Sequence, residues 1–175
     1  RTDLKALEET VFYLVDVPGI DSPAVKMVFD FGGNGDNCEI TVKHIVVKDH
    51  AKDDGTVIPE PEPEPEPEPV DFVAYDSPAN LWYPIDAEGA HTISQYNAQG
   101  SSWTPATTPE VTEGNGTYSF TLVEATESQW QSQFILIPKA DLILHKASKY
   151  DFKVKVSVSN DVPAATFKLT DITSD

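Results

Sequence analysis

The sequence predicts an all-β protein with the architecture of a β-sandwich. Short runs rich in β-branched and aromatic residues recur along the chain, and Gly, Pro and Asn turn signals separate them at regular intervals. Hydrophobic residues make up 39% of the chain and aromatic residues 10%, which is enough to fill a core and excludes wholesale disorder. A helix is expected only over residues 2–10, where the pattern is weak.

Three strands are predicted in the first third of the chain, at residues 11–17, 25–31 and 39–47. The second strand alternates most clearly. One face carries Val25, Met27, Phe29 and Phe31, and the other carries Lys26, Val28 and Asp30. These three strands have strong core faces, but they are too few to close a sandwich by themselves.

Six further strands are predicted in the remainder of the chain, at residues 71–75, 92–96, 117–122, 129–137, 150–159 and 165–169. The turn signals between strands include the glycine-rich residues 32–37 and the Gly-Asn-Gly of residues 114–116. A strand follows residues 32–37 where a phosphate loop would need a helix, so we interpret them as a hairpin turn. Residues 115–117 also match a glycosylation acceptor, but a turn before a strand explains them better.

The repeat PEPEPEPEPEP at residues 59–69 separates the two groups of strands. It has no apolar side chain, its prolines donate no backbone hydrogen bond, and its glutamates repel one another. We expect an exposed linker over residues 56–69, in which the repeat spans about 34 Å in polyproline II geometry. Residues 1–55 and 70–175 are therefore predicted as two parts that together have the strand count of one sandwich.

The charge of the chain excludes several classes of partner. The formal net charge is −17, although five of the acidic residues lie in the repeat. An acidic surface repels phosphates, so nucleic acid and anionic membranes are not expected as partners. No apolar run approaches the length of a membrane span, so membrane insertion is not expected either. The sequence begins at Arg1, which suggests a piece of a longer, processed protein.

Several segments together resemble a known family of modules. After the linker they are NLW at 80–82, SW at 102–103, YSFTL at 118–122, QWQSQ at 129–133 and YDFKVK at 150–155. Before the linker they are VPGID at 17–21, VFDFGG at 28–33 and CEITVKHIVVKDH at 38–50. The chain resembles the carbohydrate-binding modules of family 4 and its relatives, as attached to family 10 xylanases of gut Bacteroidetes. In this sequence the last third of the module precedes the first two thirds.

The resemblance implies a jelly-roll β-sandwich assembled from residues 1–52 and 70–175. It also implies a non-catalytic module that binds xylan, xylo-oligosaccharides or a related β-linked glycan such as glucan. Such a module would hold an attached endo-1,4-β-xylanase at its substrate, outside the cell or on the bacterial outer surface. Closure of the sandwich within one chain and strand exchange between two chains both stay open.

Aromatic and amide side chains are the candidate ligand contacts, because aromatic rings stack on the apolar faces of pyranoses and amides read hydroxyl groups. The candidates are Trp103, Trp130, Gln131, Gln133, Trp82 and Tyr96. Trp103 lies in loop-like sequence, where an exposed tryptophan is hard to explain by packing. For Trp130 and Trp82 the sequence leaves core packing and ligand contact open.

The remaining signals are weaker. The histidines lack metal-ligand spacing, which argues against zinc, and His44 is expected to pack partly buried. Cys38 is expected to be a small core residue. The fold class allows a structural calcium held by loop oxygens, but no required cofactor is expected. Two other functions stay open: a structural or adhesive sandwich without sugar binding, and, held in reserve, a glycoside hydrolase.

Overall fold

A computed structural model describes residues 1–21, 25–35, 37–49, 73–82, 91–96, 105–136 and 144–171. The Pro-Glu repeat lies outside these residues. The described part contains eleven β-strands and a 3₁₀ helix at Gln129–Gln131. The strands are β1 (Thr2–Leu4), β2 (Glu9–Pro18), β3 (Val25–Asp30), β4 (Cys38–Asp49), β5 (His91–Tyr96), β6 (Pro105–Thr107), β7 (Val111–Gly114), β8 (Thr117–Leu122), β9 (Ser132–Leu136), β10 (Lys149–Val158) and β11 (Val162–Asp171).

The strands form two antiparallel sheets that pack face to face. The six-stranded sheet has the order β1-β11-β3-β9-β5-β6, and the five-stranded sheet has the order β2-β10-β4-β8-β7. The chain crosses from one sheet to the other at most connections, as in a jelly roll. The predicted all-β sandwich is therefore confirmed. No helix within the described ranges is long and apolar enough to cross a membrane.

One hydrophobic core is shared by strands from both sides of the Pro-Glu repeat. Phe29 of β3 pairs with Phe134 of β9, and the centroids of their rings lie 6.1 Å apart. Phe29 also stacks on Phe167 of β11 at 4.9 Å. Phe31 and Phe152 are fully buried in the same cluster. The expectation that the two parts of the chain share one core is confirmed, because β3 and β4 are inserted between strands that follow the repeat in sequence.

Three local predictions are wrong. Residues 2–10 form no helix, because β1 pairs with β11 and residue 9 already begins β2, so strand pairing overrides a weak helical pattern. The described residues of the strand expected at 71–75 are coil and turn rather than strand. The strand expected at 129–137 begins only at Ser132, after the 3₁₀ helix. The short strands β1, β6 and β7 were not predicted, because three or four residues carry too little periodicity.

Asn80 joins the residues after the repeat to a bulge in β4. The register of β4 against β10 shifts near His44, whose φ of 53° lies in the left-handed region. The Asn80 Oδ1 accepts hydrogen bonds from the backbone N–H of Val47 (2.8 Å) and of Trp82 (3.1 Å). Its Nδ2 donates to the carbonyl of Ile45 (2.9 Å) and to that of residue 75 (2.7 Å). One buried side chain thus satisfies two backbone groups of β4 beyond Lys43, where the pairing with β8 ends, and two groups of the segment after the repeat.

The two predicted turns have different outcomes. The turn at residues 114–116 is confirmed as the tight hairpin between β7 and β8, with positive φ at Asn115 and Gly116. The glycine-rich residues 32–37 do not form a hairpin, because β3 and β4 belong to different sheets. Gly32 approaches the chain so closely that a Cβ there would lie 1.8 Å from the carbonyl oxygen of Ser128. Only glycine fits at this position.

Glu9 bridges two lysines on the outer face of the five-stranded sheet. Its carboxylate lies 2.8 Å from the Lys43 ammonium and 2.9 Å from that of Lys155. These hydrogen-bonded ion pairs lower the pKa of Glu9 to about 2 from its ordinary 4.5. Because the folded-state pKa is lowered, the stabilisation is present above pH 4.5 and is lost as the pH falls towards 2.

We expect Glu9→Gln to lower the free energy of unfolding at pH 7 by about 0.5–1 kcal/mol, since all three side chains are partly exposed to solvent. The difference between wild type and variant should shrink as the pH falls from 4.5 towards 2. Urea unfolding at several pH values measures it. Glu8→Gln is the matched control and should have little effect. A difference that stays constant down to pH 2 would contradict the ion-pair explanation.

Candidate functional site

The 3₁₀ helix Gln129–Gln131, here called the Trp130 turn, lies at one end of the six-stranded sheet. The carbonyl of Gln129 accepts a hydrogen bond from the N–H of Gly32 at 2.8 Å, which joins the turn to the end of β3. The side-chain Nε2 of Gln129 donates to the carbonyl of Ala164 at 2.6 Å, which joins it to β11. The turn is therefore fastened on both sides, and it holds Trp130 partly exposed.

A buried polar network joins the residues on either side of the Trp130 turn to the loop after β3. Asn34 is 2% exposed, and its Oδ1 accepts hydrogen bonds from the hydroxyls of Thr126 (2.7 Å) and Ser132 (3.0 Å). Its Nδ2 donates to the carbonyls of Gly35 (2.8 Å) and Glu124 (2.9 Å). The network joins the glycine-rich loop after β3 to the segment that leads into the Trp130 turn. Buried networks with satisfied members rigidify the loops that they connect.

Next to the turn, three polar side chains form a connected group on the outer face of the six-stranded sheet. Asp30 is only 4% exposed, although β3 directs it away from the core side occupied by Phe29. Its Oδ1 accepts a hydrogen bond from the Gln133 amide at 2.9 Å, and its Oδ2 accepts one from the Lys168 ammonium at 2.8 Å. We call Asp30, Gln133 and Lys168 the polar row. Its members come from three adjacent strands, and the buried Asp30 holds the more exposed side chains of Gln133 and Lys168.

The two glutamines Gln131 and Gln133 of the QWQSQ segment have different roles. Gln133 stands on β9 in the polar row, partly exposed as the expected ligand role requires. Gln131 is 2% exposed, and its Oε1 accepts hydrogen bonds from the N–H of Ser128 (2.6 Å) and Glu127 (3.2 Å). This placement corrects the expected ligand role of Gln131, because its amide holds the start of the Trp130 turn. Trp130 and Gln133 stay candidate contacts.

The other candidates fall in three places. Trp82 is 1% exposed and belongs to the hydrophobic core, so packing explains it and the expected stacking role is corrected. The backbone of Tyr96 ends β5 beside the Trp130 turn, because the preceding residue pairs with Ser132. Trp103 lies outside the described residues. In sequence it precedes Pro105, whose Cα partner is Tyr96.

A groove that sequence reasoning missed lies on the outer face of the five-stranded sheet. It has a volume of about 520 Å³ and crosses β4, β8 and β7. Its polar lining comes from Glu39, Thr41, Glu110, Thr112, Ser119 and Thr121. The sequence signal was the alternation of hydroxyl residues with core residues in β8, which predicted the strand but not its pairing with β4 and β7, which completes the groove.

The weaker expectations concern single residues. The ring of His44 stacks on that of Tyr75 with centroids 4.1 Å apart, and it is partly buried as expected. Burial, with the nearby charges of Lys43 and Lys155, lowers the pKa of His44. Cys38 is fully buried in the core, as expected. Within the described ranges no three His, Cys, Asp or Glu side chains group closely enough to hold a metal ion, so calcium stays an expectation without ligands.

Comparison with known proteins identifies no family for this chain. No protein-family model matches it, and neither the comparison with curated proteins nor that with solved structures finds a significant match.

Proposed function

We propose that the chain is a non-catalytic module that binds a β-linked polysaccharide, with xylan as the first ligand to test. The observation that carries the proposal is the partly exposed Trp130, in a turn that contacts β3 and β11 and lies three residues before Gln133 of the polar row. An aromatic ring supplies a platform for the apolar face of a pyranose, and the neighbouring amide of Gln133 and ammonium of Lys168, both held by the buried Asp30, suit its hydroxyls.

Rigidity of the surface supports the same function. The Trp130 turn is fastened to β3 and β11, and the Asn34 network lies beneath it. A platform held in place loses little conformational freedom when a sugar binds, so more of the contact energy appears as affinity. In this proposal the module works by proximity: it holds an attached glycanase, such as an endo-1,4-β-xylanase, at its substrate outside the cell.

Affinity electrophoresis tests the proposal directly. Gels that contain soluble xylan, glucan or mannan should retard the protein if it binds one of these chains. Isothermal titration with xylohexaose and cellohexaose then distinguishes xylan from glucan preference. Absence of retardation in every gel would favour a structural or adhesive sandwich, and release of reducing sugar would instead indicate a hydrolase.

Trp130→Ala is expected to weaken polysaccharide binding about ten- to a hundredfold, because it removes a stacking contact worth roughly 1–3 kcal/mol. Trp103→Ala is expected to have an effect of the same size. Titration with the best oligosaccharide measures both. Gln133→Ala should weaken binding less, since its hydroxyl contacts are exchanged with contacts to water.

Tyr13→Ala is the matched control, because Tyr13 is an aromatic residue of β2, 45% exposed, on the other sheet. It should leave the affinity unchanged. Thermal unfolding of every variant separates binding from stability. If Trp130→Ala lowers the melting temperature but leaves xylan retardation intact, Trp130 is a packing residue and this surface is not the sugar site.

A further inference from the structure

The floor of the groove on the five-stranded sheet is a ladder of hydroxyl groups. Thr41 of β4 pairs with Ser119 of β8, which pairs with Thr112 of β7, so three hydroxyl residues stand in one row. The oxygens of Thr41 and Ser119 lie 3.2 Å apart. The next row contains Thr121, which pairs with Glu39. Neighbouring strands are about 4.8 Å apart, so these groups form a flat polar floor.

Carboxylate and apolar groups border the hydroxyl groups of the floor. Glu39 and Glu110 are both exposed carboxylates, and they come from strand β4 and from the segment that enters β7. Pro109 and Val123 add apolar surface, and Val123 is 47% exposed. Among the described residues that line the groove there is no lysine, arginine or histidine.

We propose that this groove is a second saccharide site, which takes one or two sugar units of a neutral glycan. Hydroxyl groups of the floor both donate and accept, as the hydroxyls of a sugar do. The carboxylates accept charge-assisted hydrogen bonds from sugar hydroxyls, and the apolar residues contact C–H faces. We expect a uronic acid to be disfavoured, because its carboxylate would meet Glu39 and Glu110 without a compensating cation among the described residues of the lining.

The inference goes beyond the proposed function, because the groove and the Trp130 surface lie on different sheets. A module with a site on each outer face can bind two glycan chains, or two points of one chain. Linked sites raise the apparent affinity for a polymer without raising that for a short oligosaccharide. The second site also does not require Trp130, so the two proposals can be tested separately.

Amide chemical-shift mapping distinguishes the sites. The ¹⁵N-labelled chain is titrated with xylohexaose and cellohexaose, and with hexagalacturonate as the anionic comparison. We expect saturable shifts at residues 39–41, 110–112 and 119–123 with a neutral oligosaccharide and none there with hexagalacturonate. The double variant Thr41→Val with Thr121→Val should lower the affinity measured from these shifts at least about fivefold, because two hydroxyl contacts are lost.

Thr117→Val is the matched control, since Thr117 stands on the same face of β8 but outside the groove. Valine suits a strand in all three positions, so the fold should be retained. Shifts confined to residues 129–133 would overturn the second site and leave the proposed function standing. Shifts confined to the groove would support the second site and overturn the proposed role of the Trp130 surface. Shifts at neither place would overturn both, and equal binding of hexagalacturonate would overturn the neutral-glycan assignment.

Discussion

Asn80→Ala is expected to lower the free energy of unfolding by about 3–5 kcal/mol, although it removes only a short polar side chain. Asn80 is 1% exposed and makes four hydrogen bonds to backbone groups, two of them in β4. Alanine would leave those N–H and C=O groups buried and unpaired, and each carries a desolvation penalty. Equilibrium unfolding in urea, monitored by far-UV circular dichroism, measures the loss.

Two further variants make the Asn80 result specific. Asn80→Asp keeps the acceptor oxygen but replaces the donors to Ile45 and to residue 75, so we expect a loss as large as that of alanine. Ser77→Ala is the control within the same segment, because the hydroxyl of Ser77 makes a single, exposed hydrogen bond within the described part of the chain. It should change stability by less than about 1 kcal/mol. An Asn80→Ala loss as small as that of Ser77→Ala would show that water replaces the amide.

Trp82→Ala is expected to destabilise the protein by about 3–5 kcal/mol through the cavity that it leaves. Trp82 is 1% exposed within the shared core. Among the described residues its indole Nε1 has no hydrogen-bond partner. Trp82→Phe therefore loses side-chain volume but no hydrogen bond to these residues, and it should cost about 1–2 kcal/mol. Thermal and urea unfolding of both variants measure these losses.

The phenylalanine variant also separates packing from ligand contact. Trp82→Phe should fold and should bind polysaccharide as the wild type does, because Trp82 lies in the core rather than on the Trp130 surface. If Trp82→Phe weakens xylan retardation while its unfolding is unchanged, the indole takes part in binding after all. That outcome would require a rearrangement that exposes Trp82.

The order of the strands around the repeat shows how far sequence reasoning reaches. The alternation of Met27, Phe29 and Phe31 predicted a strand with one buried face, and the structure buries all three completely. The strand count on each side of the repeat predicted a shared sandwich, since neither part can close one. Both inferences depend on patterns that are visible within a few residues or in a simple count.

The candidate site was predictable only in part, as Gln131 and Gln133 illustrate. Two residues apart in one strand, they should have shared a face. The 3₁₀ helix breaks that relation, because Gln131 turns back to hold Ser128 while Gln133 stays on the sheet. The role of Asp30 was equally hidden, since its partners Gln133 and Lys168 lie 103 and 138 residues away.

The sequence by itself determined where most of the longer strands lie, which faces they bury, and that the residues on both sides of the repeat need one another. These properties depend on local alternation and on the total apolar surface that must be buried. Only the tertiary structure decided the sheet order, the bulge that Asn80 completes, the polar row and the hydroxyl groove. Each of these depends on the register between strands distant in the chain, and a shift of one residue would turn every side chain to the opposite face.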